Sequence, residues 1–174
     1  MKNEGFLLLN LYALIILIIL CIIFFTKRKI KKLENDIYAR LLLTSVVTIT
    51  IGLLLGTTLN FEFKYSDLIL NILNKIYLIG LVSIISLFGI YTFCISKFGK
   101  NKEEKAIRIY NVLSLINILI IMFLPIEIIN GIDGVLAKGL SVNYTYTVYG
   151  LVYLFLFLII LLDIKHIKNK KYMI

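Results

Sequence analysis

Residues 6–25 read FLLLNLYALIILIILCIIFF, and residues 27–32 directly after them read KRKIKK. The run holds no charged side chain, and at a rise of 1.5 Å per residue it reaches about 30 Å, the thickness of a bilayer's hydrocarbon core. It is too long and too uniform for the apolar region of a secretory signal. No small-residue cleavage site separates it from the basic cluster either. The stretch therefore reads as a retained membrane-crossing helix. Four further runs repeat the pattern, so the spacing predicts helices over residues 6–25, 41–59, 67–96, 112–130 and 148–164.

Composition agrees with that reading. The 174 residues are 60% hydrophobic with no tryptophan, and mean hydropathy is +0.97. A soluble domain of this length keeps its apolar fraction nearer one half in order to cover its surface. The expectation is a single all-α integral membrane domain, a bundle of five crossings over residues 1–174 with no second domain.

The formal net charge is +9, and its distribution sets the orientation. Lys27, Arg28, Lys29, Lys31, Lys32 and Arg40 occupy the first loop. Lys97, Lys100, Lys102, Lys105 and Arg108 occupy the third, and Lys165, Lys168, Lys170 and Lys171 the tail. The alternate segments hold only Lys2, Lys64, Lys75 and Lys138. Basic residues gather on the cytoplasmic side, so the pattern predicts an outer N-terminus, a cytoplasmic C-terminus and a multi-pass protein of the cell membrane. Topology and attraction to anionic lipid headgroups account for the clusters. Nucleic-acid binding would need interleaved aromatics or a folded basic domain, and is not expected.

Between the runs the residues carry ordinary helix and turn chemistry. Ser66-Asp67 supplies an N-cap and a first-turn acid for the third helix, and Asn101 to Glu104 has capping-box spacing. Gly131-Ile132-Asp133-Gly134 reads as a turn. After it, residues 140–148 (LSVNYTYTV) are rich in β-branched and aromatic types with partial alternation, which predicts a short outer β-hairpin there.

Ser45, Thr48, Gly52 and Gly56 share one face of the second helix. Small residues at this spacing allow close helix approach, within the chain or in a homodimer. Ionisable groups at membrane depth are functional candidates, and Glu127 stands out near the outer end of the fourth helix, just after Pro125. The proline is expected to kink that helix and open a crevice. Asn130, Tyr144, Tyr146 and the deeper Asn117 complete the predicted ligand-binding set. The lone His166 and the separated Cys21 and Cys94 offer no metal-ligand spacing. No catalytic motif is present, so neither an enzyme nor a cofactor is expected.

Several short patterns resemble the N-terminal multi-pass membrane region of sensor histidine kinases of the GHKL type from low-GC Gram-positive bacteria. That region also occurs on related diguanylate-cyclase-type proteins. The patterns are Glu34-Asn35-Asp36-Ile37-Tyr38, Lys75-Ile76-Tyr77-Leu78, Phe88-x-x-Tyr91-Thr92, Leu124-Pro125, and Tyr144-Thr145-Tyr146 ahead of Tyr149-Gly150. The resemblance implies a sensory and anchoring input module of a two-component system. Its partners would be a cytoplasmic kinase module, in a longer gene product, or a response regulator. None of these 174 positions carries the catalytic residues of such a kinase. The alternatives are a small substrate-binding membrane subunit of a solute importer and a ligand-free accessory subunit.

Overall fold

The computed structural model describes residues 4–26, 33–60, 67–96, 98–99, 102–131 and 134–171. In chain order these form α1 (Glu4–Thr26), α2 (Leu33–Asn60), α3 (Asp67–Ile95), α4 (Glu103–Phe123), β1 (Glu127–Gly131), β2 (Gly134–Lys138) and α5 (Leu140–Lys171). All five helices contain stretches long and apolar enough to cross a membrane: Leu8–Thr26, Asn35–Thr57, Leu68–Ile95, Glu104–Phe123 and Leu140–Leu162. Most of their large apolar side chains face outward, and none of the Leu8–Thr26 span is buried. In water that surface would far exceed the apolar patch a monomer exposes. Against lipid it is the solvated face of a membrane protein.

Helices prevail because hydrocarbon offers the backbone no hydrogen-bonding partner. The hydroxyls follow the same rule. Thr48, Thr50, Thr92, Thr145 and Thr147 each donate to the carbonyl four residues back, at 2.7–2.9 Å.

α3 is the hub, with α2, α4 and α5 packed on it and α1 packed on α2. The α2–α3 crossing is tight because small residues meet there. Gly80 of α3 lies against Thr48, which is 2% exposed. A Cβ at Gly80 would fall 2.2 Å from Thr48 Oγ1. One turn along, Gly52 faces the Tyr77 ring, 3.0 Å from where its Cβ would be. Gly56 is buried further along α2, and Ser45 is half-buried. Toward the other end of the crossing Ile37, Leu87 and Cys94 are buried together, joined by Tyr91, Ala106 and Tyr110. Tyr38 bridges Phe24 of α1 and Tyr91 of α3, at ring-centroid distances of 4.9 and 5.6 Å.

Asp67 opens α3 as its sequence suggests; Ser66 lies outside the described residues, as does Asn101. The N-cap of α4 is Lys102, with no side-chain capping bond.

Two expectations are corrected. The fourth helix neither continues to residue 130 nor kinks. It stops at Phe123, and Leu124 is extended at φ −70°, ψ 140°. A proline ring crowds the residue before it out of the helical conformation and toward extended backbone, and with Leu124 extended the helix ends ahead of Pro125. The hairpin is not at 140–148, which form the first turns of α5. It is built from β1 and β2, antiparallel, with Glu127 opposite Lys138 and Gly131 opposite Gly134. Of the expected turn, Gly131 and Gly134 are paired at the strand ends, and Ile132 and Asp133 lie outside the described residues; the flanking strands carry too little alternation to announce themselves.

Ending α4 at a proline leaves its last carbonyls without helical partners, and side chains supply them. Lys75 Nζ donates to the Met122 carbonyl at 2.7 Å, which also places a cation at the negative end of the helix. Ser141, fully buried, donates through Oγ to the Leu124 carbonyl at 2.9 Å. Its amide donates to the Pro125 carbonyl at 3.2 Å. The start of α5 is thereby bonded to the end of α4, with the hairpin as the connection.

Candidate functional site

The five residues expected to form one pocket fall into separate places. Glu127 opens β1 directly opposite Lys138, and both side chains are exposed. Asn130 sits in β1 opposite Val135; its side chain lies outside those described. Tyr144 and Tyr146 are two residues apart on a helix, hence about 200° apart around its axis, and cannot face the same cavity. Tyr146 is accordingly 71% exposed. Tyr144 turns the other way, and its hydroxyl donates to Asn117 Oδ1 of α4. Of the expected set, therefore, the structure brings Asn117 and Tyr144 together.

That pair closes one end of a groove of about 600 Å³ between α3, α4 and α5. The groove exists because α4 and α5 both pack on α3 but touch one another only sparsely. Its floor is α3 from Ser86 to Phe93, and its walls are α4 from Ala106 to Asn117 and α5 from Tyr144 to Phe155. Gly89 lets α5 approach the floor, with Val152 Cγ1 only 3.1 Å from the position of a Cβ there. At the far end Phe93 and Phe155 lie 6.3 Å apart, centroid to centroid. Next to the Asn117 end, Ser83, Ser86, Ser114 and Asn117 line a crevice between α3 and α4 with no room for a water molecule.

Among the described residues, no lysine, arginine, histidine, cysteine or carboxylate lines the groove. Its polar groups are hydroxyls and one carboxamide. Such groups can orient a molecule through hydrogen bonds.

Sequence reasoning missed Ser83, Ser86, Ser114 and Gly89. A signal was available: Ser83 and Ser86 are three residues apart within an apolar helix, as are Ser114 and Asn117, so each pair shares a face. Polar residues repeated on one face of a membrane helix mark a packed or ligand-lined surface.

No family model matches the chain, and neither a curated protein nor a solved structure matches it.

Proposed function

We propose that the chain is the sensory and anchoring input module of a two-component signalling system in the cell membrane, with its N-terminus outside and its C-terminus in the cytoplasm. The observation that carries this reading is the continuity of α5. The helix runs unbroken from Leu140 to Lys171, whereas its apolar span ends at Leu162. Its first half lines the groove, and residues 163–171 continue it for about 14 Å beyond the span. A change in groove occupancy that shifts α5 would thus arrive beyond the membrane as a displacement or rotation of one rigid rod. The resemblance to kinase membrane regions supports the same reading. Glu127 and Asn130, in the hairpin, and Tyr146, near the start of α5, then belong to the outer face.

The test is an insertion scan. With the chain fused through α5 to the catalytic half of a GHKL-type kinase, one to four alanines are inserted after Leu162. Each alanine turns the following helix by about 100°. Kinase output should vary with that period, reversed by two residues and largely restored by four. Output indifferent to insertion length would remove the input-module reading and leave the importer-subunit alternative.

Orientation has its own expected result. Single cysteines at Lys31, Gly134 and Lys170, in a background lacking Cys21 and Cys94, are exposed to an impermeant thiol reagent in intact cells. Position 134 should label while 31 and 170 stay protected, in keeping with the basic loops facing inward. The opposite pattern would invert the topology.

A further inference from the structure

We propose that the groove between α3, α4 and α5 binds a neutral, single-chain, lipid-like molecule whose one polar group, a hydroxyl or carbonyl, sits at Asn117 and Tyr144. The proposal names the ligand class for the input module described above and so rests on that reading.

The shape argues for a chain. From Ala106 to Asn117 the α4 wall runs about 16 Å, and the volume of about 600 Å³ falls in the range of ligand sites. The walls are apolar along that length, with Leu113, Leu151 and Phe155 contributing. The groove lies within the membrane spans of all three helices, and the sparse α4–α5 contact leaves a side opening. A molecule dissolved in the bilayer can enter without crossing water.

Hydrogen bonding argues for the head. Tyr144 gives its proton to Asn117 Oδ1. The tyrosine oxygen therefore retains acceptor capacity, and the Asn117 carboxamide retains its N–H donors. An alcohol can use both, and a carbonyl can use the amide. Each would satisfy groups that hydrocarbon alone leaves unmet.

Charge argues against the alternatives. Asn117 lies six residues before the end of α4 at Phe123, about 9 Å inside the helix end. Among the described residues no cation lines the groove. An anionic head seated there would be buried without a counter-charge, which is strongly unfavourable. A phospholipid could lay an acyl chain in the groove only with its headgroup elsewhere, leaving the Asn117–Tyr144 end unused.

The experiment is photolabelling of the full chain in vesicles of phosphatidylcholine and phosphatidylglycerol. Three probes carry the same mid-chain diazirine: a long-chain fatty alcohol, the corresponding alkyl sulfonate, and a diacyl phosphatidylcholine. Adducts of the alcohol should concentrate on peptides of α4 and α5 that line the groove. Excess unlabelled alcohol should reduce them about tenfold, and Leu113→Trp or Leu151→Trp should lower them by narrowing the groove from either wall. Asn117→Leu keeps the volume and removes the hydrogen bond, so it should weaken alcohol labelling about fivefold. The same change should leave phosphatidylcholine labelling as it was, which a merely structural role for Asn117 would not predict. Three results would overturn the proposal: alcohol adducts spread as densely over the lipid-facing α1, a sulfonate or phosphatidylcholine probe that labels the groove as well as the alcohol does, or failure of unlabelled alcohol to compete in the parent chain. Labelling reads occupancy without any kinase output. Its failure removes the ligand class, whereas a flat insertion scan removes the input module.

Discussion

A chain carrying Gly80→Leu is expected to lose most of the stability of its α2–α3 crossing. A Cβ at this position would lie 2.2 Å from Thr48 Oγ1, 2.9 Å from its Cγ2 and 3.0 Å from its Cβ. Thr48 cannot turn aside freely, because its hydroxyl is bonded to the Thr44 carbonyl at 2.7 Å and its χ1 is restricted by branching. The helices must separate, and overpacking of this kind costs about 3 kcal/mol. Since α3 also carries α4 and α5, the loss should appear in global unfolding of the purified protein in bicelles. Gly150→Leu is the control, for nothing lies within 4 Å of a Cβ there, and it should unfold like the parent. Thr48→Ala removes the two nearest offending atoms and should partly rescue Gly80→Ala, a coupling that a double-mutant cycle would measure. Equal stability of the Gly80→Leu and Gly150→Leu chains would mean that the two helices do not cross at this point.

The second large effect is expected at the junction of the hairpin and α5. Gly139 has φ +118°, a conformation that costs an L-residue about 1–3 kcal/mol. A Cβ would also stand 3.0 Å from the Pro125 carbonyl oxygen and 3.4 Å from the Glu127 nitrogen. Both are backbone atoms, and the same Pro125 carbonyl accepts the bond from the Ser141 amide. Gly139→Ala should therefore destabilise the chain by roughly 3 kcal/mol. The damage should be local first: amide exchange should quicken in the opening turns of α5 before the α2–α3 amides respond. Exchange at Ser141 and Asn143 matching the parent would contradict the assigned backbone conformation.

The two glycines also mark the limit of what could be read in advance. The five long apolar helices were legible because a helix able to cross a membrane announces itself by length and hydropathy alone. The α2 stripe of Ser45, Thr48, Gly52 and Gly56 was legible as a surface for close approach, but its partner Gly80 was not. Which residue faces a stripe depends on the axial stagger of two helices, and no periodicity encodes that. Pro125 was recognised as a disruption, and a kink was inferred where the restriction it places on Leu124 ends the helix. Residues 140–148 resembled a strand by composition, yet Thr145 and Thr147 return their hydroxyls to the helix itself. In hydrocarbon that arrangement outweighs their β propensity. The predicted pocket failed in a similar way. It grouped Tyr144 with Tyr146 by nearness in sequence, although helical geometry sends them to opposite sides. The groove was invisible, because it is the space left between three packed helices rather than a property of any one of them.

The hub position of α3 bears on how the chain is made. Every helix before α5 has its main partner next to it in sequence: α1 has α2, α2 and α3 have each other, and α4 has α3. Each can settle as it leaves the ribosome, against a neighbour already in the membrane. Only α5 must pass over a neighbour, α4, to reach α3. Among these helices α5 alone closes over a neighbour, with Tyr149 reaching the Leu81 carbonyl at 3.2 Å and Ser141 docked on the end of α4. The seam of that closure, between α4 and α5, is where the bundle leaves its groove open.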